Sequence, residues 1–365
     1  MTGDEIRPSH LPWWWFAGAL SALGAAVLVA VLLGAVHLDA SSVVASLIDR
    51  LPFIDLDSGL TDREEAILWD LRMPRIVLGG IVGATLAVAG GAYQGSFRNP
   101  LADPYLLGVA AGAGLGATIA IAYGPSIPST PFGPLPLLAF LGGIGGVAAT
   151  YAIGYSVRAG RTAVTLILAG VAVAAFLTAI QTYLQQRNTE TLREVYGWIL
   201  GRLSTVGWTE VWMVLPYVVV ATVVMLAGAR RLDVLSVGDD EAVTLGVDPT
   251  RVRLVIVLAA TLGTAAVVAV SGLIGFVGII VPHTIRIVFG TSYRIVLPLS
   301  VVLGATFLIL ADLLARTISA PAERVASRAF GKCSPSFTPR RCATWLALAG
   351  GPLAGPAAAP VPSSW

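Results

Sequence analysis

The chain reads as an all-α, polytopic membrane protein. Three observations predict this fold class. Hydrophobic residues make up 56% of the 365 residues and charged residues only 12%, about half the charged share of a soluble domain. The apolar residues gather in runs of roughly 20, the length that crosses a bilayer as a helix. Forty glycines recur inside these runs, often four apart, as they do where helices pack closely in lipid. A soluble fold of this size could not supply a polar shell for so much apolar surface.

The first apolar run, Trp13 to Val36, is longer than the 7–15-residue core of a cleaved signal. Asp4 and Glu5 beside Arg7 do not form a basic leader. The run is expected to be the first span, with Trp13, Trp14 and Trp15 at headgroup level. Further spans are expected at 74–96, 105–123, 135–156, 162–184, 208–228, 250–271, 274–290 and 295–315, nine convincing ones in all. Gly275, Gly278 and Pro282 interrupt the span at 274–290, and a broken helix survives in a membrane only when packed inside protein. Short-loop arginines such as Arg98, Arg230, Arg231, Arg251 and Arg253 favour an N-terminus on the cytoplasmic side.

Gly108, Gly112 and Gly116 line one face of a helix, and Gly79 with Gly83, Gly91 with Gly95 and Gly142 with Gly146 repeat the spacing. Most such pairs serve packing. Ala87–Gly90 is echoed by Ala269–Gly272, 182 residues on, and Pro100 and Gly108 match Pro282 and Gly290 at the same offset. Inverted repeats are a recurring transporter architecture.

Several chemistries lack a handle. The single lysine, Lys332, is followed by Cys333 and has no spaced glycine before it, so the chain carries no P-loop. His-Glu-x-x-His and Gly-x-Ser-x-Gly are absent, and His10, His37 and His283 are scattered, so neither a catalytic pair, a cofactor nor a metal site is expected. Cys333 and Cys342 define no disulfide framework. A net charge of +2 gives no reason to expect nucleic acid.

Three segments could do more than span. Leu71-Arg72-Met73-Pro74-Arg75 opens the second span. Its arginines are anchors snorkelling at a helix end or docking points for an acidic partner. Asp312 and Arg316 lie four apart at the far end of the ninth span and can pair. Phe97 to Pro104, with Asn99, Pro100, Asp103 and Pro104, forms a tight polar turn in which two prolines stop both helices. Gly238 to Asp248 reads as a short helix: Asp239, Asp240 and Glu241 complement the dipole of its first turn, and Gly246 ends it. With Ala242 and Leu245 it offers a small apolar face, which suits either a linker or a docking element.

These runs carry a resemblance. Leu71 to Arg75, Ala89 to Gly95, Arg98 to Pro104 with Leu107-Gly108-Val109, Leu166 to Val171, Trp198 to Gly201, Gly275 to Gly278 with Val281-Pro282-His283 and Arg286, and Ala311 to Arg316 resemble the FecCD-type permeases of ABC importers for iron-siderophore, heme and vitamin B12. The resemblance runs in order from about residue 10 to Glu323. It implies a multi-pass protein of the cell's inner or cytoplasmic membrane with ten spans, working as a homodimer. Two cytoplasmic ATP-hydrolysing subunits and an extracytoplasmic substrate-binding protein would be its partners. It further implies that Asp239, Asp240, Glu241, Ala242, Leu245 and Gly246 couple to the ATPase and that Arg72, Arg75 and Arg316 receive acidic side chains of the binding protein. The cargo would be a ferric siderophore, heme or a corrinoid. A rival reading, an ion-coupled secondary transporter with inverted repeats, lacks the intramembrane acids or histidines that such coupling uses.

The resemblance stops at Glu323. Residues 1–323 are therefore expected to form the permease domain, and 324–365 an atypical tail in place of the last helix. Arg324, Arg328, Lys332, Arg340 and Arg341 make its first half too polar to cross, and Pro352, Pro356, Pro360 and Pro362 break its apolar second half. A shifted reading frame near residue 323 would leave this pattern, as would a divergent tail.

Overall fold

The computed structural model describes residues 13–33, 39–50, 59–124, 133–156, 163–203 and 207–318. The expected tail, 324–365, lies outside them. The described residues are helical, without strands. In chain order the helices are α1 (Trp13–Leu32), α2 (Ala40–Asp49), α3 (Asp62–Ala66), α4 (Met73–Phe97), α5 (Val109–Tyr123), α6 (Pro134–Ser156), α7 (Ala163–Arg187), α8 (Leu192–Ile199), α9 (Trp208–Ala227), α10 (Ala229–Leu235), α11 (Asp239–Thr244), α12 (Pro249–Ser271), α13 (Val277–Phe289) and α14 (Tyr293–Ile318). The described residues up to Leu313 form one compact unit, and Leu314–Ile318, the end of α14, belong to a second.

Among the described residues, seven helices are long and apolar enough to cross a membrane. They correspond to seven of the nine expected spans. The other two differ from expectation. α5 has 15 residues and α13 has 13, so at 1.5 Å per residue they reach only about 20–22 Å of a hydrocarbon core near 30 Å thick. Each is preceded by a break in the α-helical chain: a turn and the 3-10 segment Pro104–Leu107 before α5, and Gly272–Gly275 before the cap of α13. The break before α13 was legible from Gly275, although Gly278 and Pro282 lie within the helix that follows. The one before α5 was not.

Burial separates an interior from a rind. Within the apolar stretches of α4 and α12, 83% and 78% of residues are buried, against 22% for α1 and 28% for both α7 and α9. Leu168 and Phe176 of α7 and Val220 and Val223 of α9 stand exposed, as suits surfaces facing lipid or another subunit.

Backbone approach needs glycine at particular sites. A Cβ on Gly112 would lie 2.1 Å from the Gly142 carbonyl oxygen, and one on Gly116 2.0 Å from that of Leu138. α5 and α6 therefore touch along the face that the four-residue spacing predicted. Gly90 meets Gly278 of α13 in the same way, at 2.0 Å. Gly79, by contrast, faces open space and is not part of such a seam.

At the offset of 182 residues the matched residues fall in different local structure. Ala87–Gly90 lies within α4, whereas Ala269–Ser271 ends α12 with Gly272 as its cap. Pro100 sits in a turn and Pro282 inside α13. Short matches among small residues carry too little packing information to define a repeat. The segments that lie between expected spans at 37–73 and 185–207 contain α2, α3 and α8.

Candidate functional site

The short helix expected after the sixth span is present as α11. Asp239, Asp240 and Glu241 occupy its first turn, where their charge complements the positive end of the helix dipole. Its end is a Schellman cap: Gly246 N–H donates to Val243 O (2.9 Å) and Val247 N–H to Ala242 O (2.9 Å), with Gly246 at φ +78. That left-handed turn suits glycine and strains other residues. Ala242 is buried, while Val243 and Leu245 are 61% and 65% exposed. α11 thus presents a small apolar knob beside a cluster of acids.

Asp239 anchors this helix to the bundle. Arg253 of α12 donates from Nη2 to both Asp239 carboxylate oxygens (3.2 and 3.3 Å), and its Nε donates to the Ser96 carbonyl in the last turn of α4 (3.0 Å). Arg98, just past α4, adds an ion pair to Asp239 at 3.5 Å. Nothing in the local sequence pattern pointed to Arg253, which reads there as one more interfacial arginine.

The turn after α4 is built by its own side chains. Asn99 Oδ1 accepts from Leu101 N–H (2.9 Å), and Asn99 O accepts from Ala102 N–H (3.0 Å). Asp103 Oδ1 accepts from Tyr105 N–H at 2.8 Å and so caps the 3-10 segment that Pro104 begins; the fixed φ of proline suits a first helical position. Pro100 follows Asn99 in the turn, and Leu101 is 70% exposed. Burial pushes the Asp103 carboxyl above its usual range, against the lowering effect of the Tyr105 N–H.

This turn meets the break before α13. Tyr105 O–H donates to Ile274 O (3.0 Å), and the same hydroxyl accepts from Ile274 N–H (3.3 Å). Asp103 Oδ2 lies 3.2 Å from where a Gly278 Cβ would stand. Gln94 donates to Gly278 O at 3.2 Å and accepts from Arg286. Two of the runs that carry the resemblance, Arg98 to Pro104 and Gly275 to Gly278, some 170 residues apart, are therefore in contact. The Tyr105 hydroxyl thus satisfies both backbone groups of Ile274, which the break before α13 leaves without helical partners.

At the opposite end of α4 the expected arginines separate. Arg72 is 7% exposed and donates to the Val31 carbonyl at the end of α1, one of the carbonyls a helix C-terminus leaves without an internal partner. It is not the surface cation expected. Arg75 donates from Nε (3.0 and 3.2 Å) and Nη2 (2.8 Å) to the Asp312 carboxylate. The sequence offered Arg316 as a partner for Asp312; the structure adds a bidentate partner, Arg75, on another helix. Arg316 lies in the last turn of α14, partly exposed. Ahead of these residues, Ile67–Arg72 is a π-helical stretch in which Trp69 O accepts from the Trp208 indole N–H (2.8 Å).

Comparison with known proteins gives this arrangement a context. The model of the FecCD transport family matches residues 22–328. An uncharacterized ABC transporter permease protein of Bacillus subtilis is 41% identical over 257 residues, covering 70% of this chain and 73% of that protein. A cobalamin import system permease protein of Halobacterium salinarum is 40% identical over 262 residues, with 72% and 69% covered. A hemin transport system permease protein of Yersinia pestis is 37% identical over 266 residues, with 70% and 77% covered. Among solved structures, one described as an inward-facing conformation of a metal-chelate type ABC transporter superposes with a TM-score of 0.72 at 28% identity, covering 84% of this chain and 92% of that chain. The family match runs from within α1 to beyond α14 and takes in both interrupted spans and α11, and the chain accordingly belongs to the FecCD transport family, as a multi-pass membrane permease of an ABC importer.

Proposed function

We propose that this permease carries a ferric siderophore, or a chemically related heme or corrinoid, across the cytoplasmic membrane between two copies of itself. ATP would be hydrolysed in two separate subunits bound on the cytoplasmic side. The family match over residues 22–328 carries this reading. The chain's lack of a P-loop leaves the hydrolysis to a partner. α11 suits the contact with that partner: it is short, capped, acidic in its first turn, and shows Val243 and Leu245 to solvent. The turn at Asn99, Pro100, Asp103 and Pro104 would lie on the same side and brace the two interrupted spans.

Docking of the binding protein is assigned to the opposite end of the bundle. Arg75 would receive one of its carboxylates by exchanging Asp312 for the incoming acid, and Arg316 is proposed as a separate docking residue. Arg72 would act indirectly by holding α1 against the start of α4. Charge reversal at Arg316 and Arg75 is expected to weaken docking most at low salt, where charge steering is strongest.

The test is uptake in proteoliposomes containing the permease, its ATPase subunits and the binding protein. Ferric siderophore, heme and cobalamin would each be supplied on the outside. ATP-dependent accumulation of one of them supports the proposal. Accumulation that persists without the ATPase subunits, driven by an ion gradient, would instead establish a secondary transporter.

A further inference from the structure

Asp239, at the start of α11, is held from two sides by arginines of different character. Arg253 is buried, 5% exposed, in the second turn of α12. Its planar fork has fixed geometry. One arm, Nη2, holds the Asp239 carboxylate and the other, Nε, holds the Ser96 carbonyl of α4. A single side chain thus joins α11, α12 and α4.

Arg98 occupies the left-handed cap position of α4 at φ +49. Glycine is the usual residue there because a side chain strains that conformation. Arg98 tolerates the strain where its guanidinium reaches Asp239 at 3.5 Å.

The connection continues into the bundle. Gln94, two residues before Ser96, donates to Gly278 O and accepts from Arg286, both of α13. Gly90 and Gly278 bring the two backbones into contact. The first residue before α13, Phe276, is itself left-handed at φ +67. Displacement of α11 can therefore reach the interior helix α4, and through it α13, by hydrogen bonds alone.

We propose that Asp239, Arg253 and Arg98 form a strut that transmits movement of α11 to the end of α4, which makes Arg253 and Arg98 positioning residues for the coupling of ATP hydrolysis to transport. This rests on the reading of α11 as the ATPase-docking helix. The strut is a different element from the docking surface: Arg253 is buried behind α11, whereas Val243 and Leu245 face outward.

The experiment uses the full-length permease reconstituted with its ATPase subunits and binding protein, with substrate taken up per ATP hydrolysed as the readout. Arg253→Gln and Arg98→Gly should leave co-purification of the ATPase intact and lower uptake per ATP by roughly 2- to 30-fold, the range for residues that carry coupling between sites. Arg253→Lys should rescue only in part, because one ammonium cannot serve both acceptors. Adding Asp239→Asn to Arg253→Gln should produce little further loss, since both interrupt the same link. Arg98→Gly gives the sharpest contrast: glycine relieves the left-handed strain, so thermal stability should hold or rise while coupling falls. A merely structural role would move both in the same direction.

Unchanged uptake per ATP in Arg98→Gly and Arg253→Gln, with the ATPase bound, would overturn the strut. If Arg253→Gln does not accumulate, Arg98→Gly alone decides the matter. Failure of the docking reading would show separately, as normal ATPase co-purification with Leu245→Asp.

Discussion

The seam between α5 and α6 allows a prediction whose magnitude comes from the structure. In Gly112→Ala the new methyl group would lie 2.1 Å from the Gly142 carbonyl oxygen and 2.8 Å from its carbon. Ordinary contact begins near 3.4 Å, so the helices must part by about 1 Å or tilt. The near neighbours are backbone atoms of a helix, which have no rotamer to change. Separation would also disturb the contacts of Gly116 with Leu138 and of Gly108 with Gly146 along the same seam. Overpacking of this kind destabilises by about 1–3 kcal/mol. Gly145, on α6 itself, has nothing within 4 Å of its Cβ position. Gly145→Ala should therefore be neutral or stabilise by up to about 1 kcal/mol through helix propensity. The pair changes the same atoms and differs only in surroundings. Thermal unfolding in a single detergent, followed by loss of the monodisperse peak on size exclusion, should rank Gly145→Ala above the unmodified chain and Gly112→Ala below it. Equal stabilities for the two variants would refute the argument that α5 and α6 meet backbone to backbone.

Three further predictions follow from the polar contacts. Replacing Asp312 with Asn leaves Arg75 with a weaker acceptor in a largely buried setting and should destabilise by about 1.5–3 kcal/mol, the scale of a hydrogen bond to a charged group; a double-mutant cycle with Arg75→Gln should show strong non-additivity, whereas additive losses would rule out the pair as the cause. For Asp103, whose carboxyl is pushed above its usual range by burial, the folded state binds its proton more tightly than the unfolded state, so its contribution to stability declines as pH rises from the ordinary value of 3.8 through the raised one. Asp103→Asn retains the acceptor for Tyr105 N–H without the charge, and should match the unmodified chain near pH 4 and equal or exceed it at pH 7 in thermal scans; a variant less stable at pH 7 than at pH 4, relative to the unmodified chain, would contradict this. Gly246→Leu places a side chain at φ +78 with a local cost of about 1–2 kcal/mol, which should displace the cap of α11 and reduce co-purification of the ATPase while leaving membrane insertion intact.

Much of the fold was legible because a bilayer imposes length and polarity on single segments. Runs of about 20 apolar residues announce themselves without knowledge of their neighbours, and seven of the nine expected spans appear as helices within a few residues of their expected ends. Local chemistry was legible for the same reason. Asp103 before Pro104, and Gly246 after α11, act on backbone groups only a few residues away, so their roles travel with the sequence. Gly275 likewise exposed the break before α13, whereas Gly278 and Pro282, expected to interrupt the same span, lie inside the helix. The break before α5 escaped notice because Tyr105, Leu106 and Leu107 are as apolar as a helical continuation would be, and because the partner that stabilises it is the Ile274 backbone, far away along the chain.

What the sequence determined by itself, then, was the membrane-spanning class, the order of the helices, their caps and the kinship carried by their motifs. The tertiary structure alone decided which side chains meet between helices. Arg72 looked like a surface cation until α1 ended beside it with an unpaired carbonyl. Asp312 takes a bidentate partner, Arg75 on α4, that nothing along its own helix announced. Arg253 gave no signal beyond a charge near a helix start, although it joins three helices. The physical reason is that periodicity reports which face of a helix is apolar, whereas a polar contact between helices depends on their relative rotation and depth, and those are set by where glycines such as Gly90, Gly112 and Gly278 let the backbones touch.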